Sequence, residues 1–227
     1  MIKNPKMIRM KILYLSDFNC PYSFIGLKRV KNACDELNLD VEWDMKSFEL
    51  EPNAKDIPAI DSFAIKNNLS VNDAVNEIEK IEEIARNEGL DINYKDMTLY
   101  SSKDAHRLVK YVQEKYSDIS LDLVFKIFES NFSKNENISN PDVLVKIAVS
   151  CGLDGEEIME FLKRNSLKIE VDLDMDEAIS NGITTIPYYF LEYNDERLIV
   201  PGVFDKEFFK IALEDLMSGE MKNKTFI

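Results

Sequence analysis

The chain is poor in the residues that punctuate or cross-link a fold: its 227 residues include seven glycines, seven prolines, three cysteines, one histidine and one tryptophan. So few glycines and prolines exclude a low-complexity or fibrous chain. Three cysteines, an odd number, do not make a disulfide framework, so any special cysteine is chemical rather than structural. One histidine with dispersed cysteines leaves no zinc spacing, so no metal is expected. A glycine-rich phosphate loop is also missing. No stretch approaches the roughly 18 uninterrupted apolar residues of a membrane helix, so no membrane span is expected. Positive charge is scarce, with 28 Lys and Arg against 42 Asp and Glu, for a net charge of −14. That balance argues against nucleic acid as a partner and reads as a solvated surface.

What is present suffices for a packed core: 45% of the residues are hydrophobic, and the length suits one large domain or a small domain carrying an insertion. The N-terminus is basic and then apolar, as a signal peptide would be. Its apolar core is only Ile12-Leu13-Tyr14-Leu15, and no small-residue cleavage site follows. It therefore reads as a first strand, with a cytoplasmic location expected.

Residues 9–16 suit a buried strand, and Pro21 opens a helix whose inner face is Gly26, Val30, Ala33, Cys34 and Leu37. Residues 40–50 read as a second strand with Val41, Trp43 and Met45 on one face, completing a βαβ unit. Residues 51–68 lack a period and read as a long connection. About a hundred residues of helix without a strand pattern then follow. Ser70 with Asp73, Asn140 with Pro141, and Asp154 mark helix starts. One inserted stripe is Leu144, Ile147, Ala148 and Cys151, and another is Val171, Met175, Ala178 and Ile179. Strands return at 186–193 and 197–200, joined by Asn194-Asp195 as a hairpin, and Asp205 caps a last helix.

The order βαβ, helices, ββα and the local residues together resemble a known family. Cys20-Pro21-Tyr22-Ser23, between the first strand and helix, resembles the active-site tetrapeptide of thioredoxin-fold proteins. Extended through Phe24-Ile25-Gly26, it is similar to the FrnE branch of the DsbA family. It is also similar to kappa-class glutathione transferases and 2-hydroxychromene-2-carboxylate isomerases. Thr184-Thr185-Ile186-Pro187 resembles the cis-proline loop of that superfamily, and Asp104-Ala105-His106-Arg107-Leu108 a stretch of the FrnE branch. The resemblance implies an α/β thioredoxin-like fold with a large all-helical insertion. The thioredoxin-like part is expected at 1–65 and 183–227, and the insertion at 66–182.

Cys20 and Ser23 are the candidate catalytic residues. A free thiol has a pKa of about 8.5, and the unpaired N–H groups of a helix N-terminus stabilise a thiolate. Cys20 is accordingly expected to be more acidic than Cys34 or Cys151. A cysteine at such a junction can also be a small buried apolar residue. A cis X-Pro bond occurs in only about 5% of folded cases, so residues alone would make Pro187 trans; the resemblance reverses that. It implies that Pro21, Tyr22, Thr185, Ile186 and Pro187 bind substrate. His106, at the edge of its helix's apolar face, is either a packed side chain or an acid or base at the substrate.

The FrnE pattern has a cysteine where this chain has Ser23. Cys34 lies fourteen residues along the same helix, about 21 Å away, whereas a disulfide needs Cα atoms within roughly 7 Å. An internal dithiol cycle is thus not expected. The leading expectation is a thiol–disulfide oxidoreductase acting through Cys20 alone. Its partner would be a disulfide-containing protein or a small thiol. No cofactor is expected to be tightly bound, and glutathione or another low-molecular-weight thiol would be the co-substrate. The alternatives are a thiol-dependent transferase or isomerase, and a peptide-binding or chaperone module with vestigial redox chemistry. The aromatic-rich inserted helices could supply a homodimer surface.

Overall fold

The computed structural model describes residues 9–52, 54 and 56–219. The chain opens with β1 (Met10–Ser16), α1 (Pro21–Glu36) and β2 (Val41–Ser47). Strands β1 and β2 pair in parallel from Met10↔Val41 to Ser16↔Ser47, as a βαβ unit requires. Next come β3 (Ile57–Pro58), α2 (Ala59–Asn67), α3 (Val71–Asn87) and β4 (Thr98–Leu99). A run of helices follows: α4 (Lys103–Lys115), α5 (Ser117–Phe132), α6 (Pro141–Ser150), α7 (Gly155–Lys163) and α8 (Lys168–Ser180). The chain returns to the sheet in β5 (Tyr188–Tyr193) and β6 (Glu196–Pro201), and ends its described part in α9 (Lys206–Ser218). The sheet order is β2-β1-β5-β6, with β5 antiparallel to both neighbours. This is the thioredoxin-like fold with helices inserted between its halves.

Local chemistry accounts for the boundaries. Asn140, Asp154 and Asp205 each accept a backbone N–H in the first turn of α6, α7 and α9, and Ser70 does so for α3. Each such cap supplies a partner for a donor that the helix itself cannot satisfy. Asn194 and Asp195 both take positive φ (53° and 64°) in the two-residue β5–β6 turn, as a type I′ hairpin demands.

Three readings of the sequence are corrected. The segment 51–68 is not a bare connection, because it holds β3 and α2. The middle of the chain is not purely helical either, since β3 pairs with β4 through Ile57↔Leu99. Two-residue strands are too short to leave a period-two pattern. On α8, Val171 and Ala178 are buried but Ile179 is exposed. Asp174 takes the inward place, accepting the Ser47 N–H at 2.8 Å and ion-pairing Lys110.

One face of the sheet, carrying Ile12, Tyr14, Tyr189 and Leu191, is buried beneath α1 and α9. The approach of α1 is close at Gly26, where a Cβ would stand 2.5 Å from the Tyr189 hydroxyl and 3.2 Å from Pro187. On the other face, Leu15 and Phe48 pack with Ala178 and Ile183. The aromatic spine Phe18, Phe24, Phe128 and Phe132 joins the start of α1 to α5; the Phe24 and Phe128 rings stack with centroids 4.9 Å apart. Its effect is to fix the first turn of α1 against the insertion.

Candidate active site at the start of the first helix

Cys20 is the N-cap of α1, extended at φ −102° and ψ 109°, with Pro21 entering the first turn. Its carbonyl accepts the N–H groups of Ser23 and Phe24 at 3.0 and 3.4 Å, and its own N–H donates to the Asp17 carbonyl at 3.1 Å. Cys20 is only 4% exposed. Burial pushes its thiol up to about 11, although the Ser23 hydroxyl and the N–H groups of Ser23 and Tyr22 pull the other way. At Cys20 the cost of burying a thiolate outweighs the helix terminus, yet its thiol stays below that of Cys34, as expected. Burial drives Cys34 higher still, to about 12. Cys151, expected in an inward stripe, ends α6 partly buried against the core, and burial raises its thiol too. All three cysteines are free.

Ser23 lies one turn on, 1% exposed, with no hydrogen-bond partner for its hydroxyl. That hydroxyl is nonetheless close enough to the sulfur to favour the thiolate. Tyrosines complete the wall. Tyr22 is half-buried, while Tyr94 and Tyr189 are buried; burial raises all three phenols, with the charge of an ionised Cys20 adding to the shift. The Tyr189 hydroxyl, too, has no partner.

Three consecutive residues before Cys20 are tied to remote segments. Asp17 is fully buried; its carboxylate accepts the Leu50 N–H at 2.8 Å and the Ser102 hydroxyl at 2.6 Å. His106 Nε2 stands 3.2 Å from the same carboxylate. The Phe18 carbonyl accepts from the Asn131 amide, and Asn19 donates to the Tyr100 carbonyl, both at 2.8 Å. Burial opposes the charged form of Asp17, but His106, Ser102 and Leu50 together hold its carboxyl below the usual range. His106 is 1% exposed beneath this loop, packed against Phe18 as well as Asp17. Its neighbour Arg107 points elsewhere, donating to the Ser166 carbonyl at 2.8 Å and lying over Phe161.

The Thr184–Pro187 loop is divided by the structure. Thr184 and Thr185 are exposed, Ile186 is half-buried against the Leu15 cluster, and Pro187 is buried against Gly26 of α1. The Ile186–Pro187 bond is cis. Sequence reasoning missed Asp17, Ser102, Tyr94 and Tyr189 as parts of this region. For Asp17, its place three residues before Cys20 is the one signal the sequence offers.

A family model for the DSBA-like thioredoxin domain matches residues 11–214. The Bacillus subtilis (strain 168) protein YwbO is 24% identical over 204 residues, covering 88% of this chain and 94% of that protein. Among solved structures, the probable DsbA oxidoreductase SCO1869 from Streptomyces coelicolor superposes with a TM-score of 0.81 at 26% identity, over 96% of this chain and 93% of that one. The cytosolic disulfide reductase DsbM from Pseudomonas aeruginosa, solved with GSH, shares the fold at 13% identity, with a TM-score of 0.62 over 93% of this chain and 98% of that one.

Proposed function

Because the chain belongs to the DsbA-like thioredoxin family, we propose that it is a thiol–disulfide oxidoreductase working through Cys20 alone, with a low-molecular-weight thiol as co-substrate. The observation that carries this reading is the placement of Cys20: a thiol at the cap of α1, with the unpartnered Ser23 hydroxyl one turn away. No second cysteine neighbours it, since Cys34 lies at the far end of the same helix and Cys151 ends α6.

The exchange balances without any other redox partner. Cys20 gives up its proton to solvent, and its thiolate attacks one sulfur of a disulfide R–S–S–R′. The Cys20 S–S–R bond forms as the old S–S bond breaks, and R′–S⁻ leaves and takes a proton. A small thiolate then attacks the R sulfur, forming a new disulfide and returning Cys20 as thiolate. The net reaction transfers R from one thiol to another. Ser23 donates to the Cys20 thiolate, or to the sulfur bound beside it. Thr185 and Ile186 present the edge along which an extended substrate lies. The free cysteines suit a reducing, cytoplasmic setting. The fold shared with a GSH-bound reductase supports glutathione as the class of thiol.

The test is turnover of a glutathionylated peptide in the presence of reduced glutathione. Cys20→Ser should lose exchange to the uncatalysed background, and Ser23→Ala should slow it by about tenfold, the size of one lost hydrogen bond to a charged group. Full activity in Cys20→Ser would refute the reading. It would move the fold to a peptide-binding role, which the burial and raised pKa of Cys20 favour as the second reading.

A further inference from the structure

The nucleophile's loop owes its place to the insertion more than to the strand and helix it joins. Asp17 has no hydrogen-bonding or ion-pairing lysine or arginine among the described residues; its side-chain partners are the Leu50 N–H, the Ser102 hydroxyl and His106. Lys103, beside Ser102 in sequence, is engaged with Glu49 and Asp172 instead.

We propose that Asp17 is the positioning residue through which the helical insertion governs the reactivity of Cys20. The carboxylate stands three residues before the nucleophile, wholly buried, with its carbonyl on the Cys20 N–H and its side chain held by α4. This rests on reading Cys20 as the nucleophile. The groups facing Cys20 are Asp17 from its own loop, Tyr22 and Ser23 on α1, Tyr94 before β4 and Tyr189 on β5; none brings positive charge. A buried carboxylate here opposes the thiolate, and its donors temper that opposition. A shift of α4 that changed the donors on Asp17 would therefore change the thiol's readiness to ionise.

The experiment is the pH profile of iodoacetamide alkylation, read by mass at the Cys20 peptide of the full chain. Asp17→Asn keeps an acceptor for the Leu50 N–H but removes the charge; Cys20 should alkylate about tenfold faster at pH 8, one unit of pKa. His106→Leu removes a donor and leaves the charge less compensated, so Cys20 should react severalfold more slowly, while His106→Gln restores a donor and the native profile. Loosening of the loop would expose Cys20 and speed every variant, so opposite shifts separate positioning from mere instability. Should Asp17→Asn fail to fold, the two His106 variants decide by themselves. Unchanged profiles in variants of a reactive wild-type protein overturn this inference alone. A Cys20 that never reacts overturns the proposed function with it.

Discussion

At the scale of the residue, Cys20 stands between two physical effects of opposite sign. The helix terminus and the Ser23 hydroxyl favour the thiolate, and burial among three tyrosines disfavours it; burial prevails, lifting the thiol to about 11. Alkylation of Cys20 should therefore keep rising with pH through 10, where an exposed thiol would level off near 8.5. A plateau below pH 8 would show that the helix terminus wins in solution. Asp17 makes a separate prediction on stability. Its carboxyl is lowered in the folded state, so its contribution is full above the ordinary carboxylate range, about pH 4, and is lost as pH falls through the folded value. Denaturant midpoints at pH 5 and pH 3 should differ less in Asp17→Asn than in the native chain.

Elements declare themselves in the sequence where their causes are local. The β5–β6 hairpin was legible because Asn194-Asp195 is turn chemistry and each takes the left-handed backbone such a turn needs. The starts of α6, α7 and α9 were legible because Asn140, Asp154 and Asp205 cap within their own first turns. Strands β3 and β4 were not, since each is two residues long and is defined by a partner some forty residues away. Two substitutions test this level by thermal melts. Asp195→Gly should stabilise by about 0.5–1 kcal/mol, because glycine adopts the left-handed conformation without strain. Gly26→Ala should destabilise by about 1–3 kcal/mol, since its methyl would meet the buried Tyr189 hydroxyl and Pro187.

Across the whole molecule, the sheet halves and the inserted helices meet at the loop before Cys20. Asp17 reaches Ser102 and His106 over 85 and 89 residues of chain, and Asn131 reaches Phe18 over 113. Such contacts leave no mark in spacing or periodicity, which is why Asp17 is missed and His106 stays ambiguous. The same distance hides the cost of burial at Cys20: the cap is visible locally, whereas Tyr94 and Tyr189 arrive from a remote loop and strand. Family resemblance supplied what local physics lacked, the placement of the Thr184–Pro187 loop beside α1. Among the described residues no helix is long and apolar enough to cross a membrane. The most direct measurement of the central claim is intact mass with peptide mapping after exposure to oxidised glutathione, beside a Cys20→Ser control. The expected result is a mixed disulfide on the Cys20 peptide, reversed by reduced glutathione and absent from the control; a Cys20 that stays unmodified while Cys151 takes the adduct would contradict it.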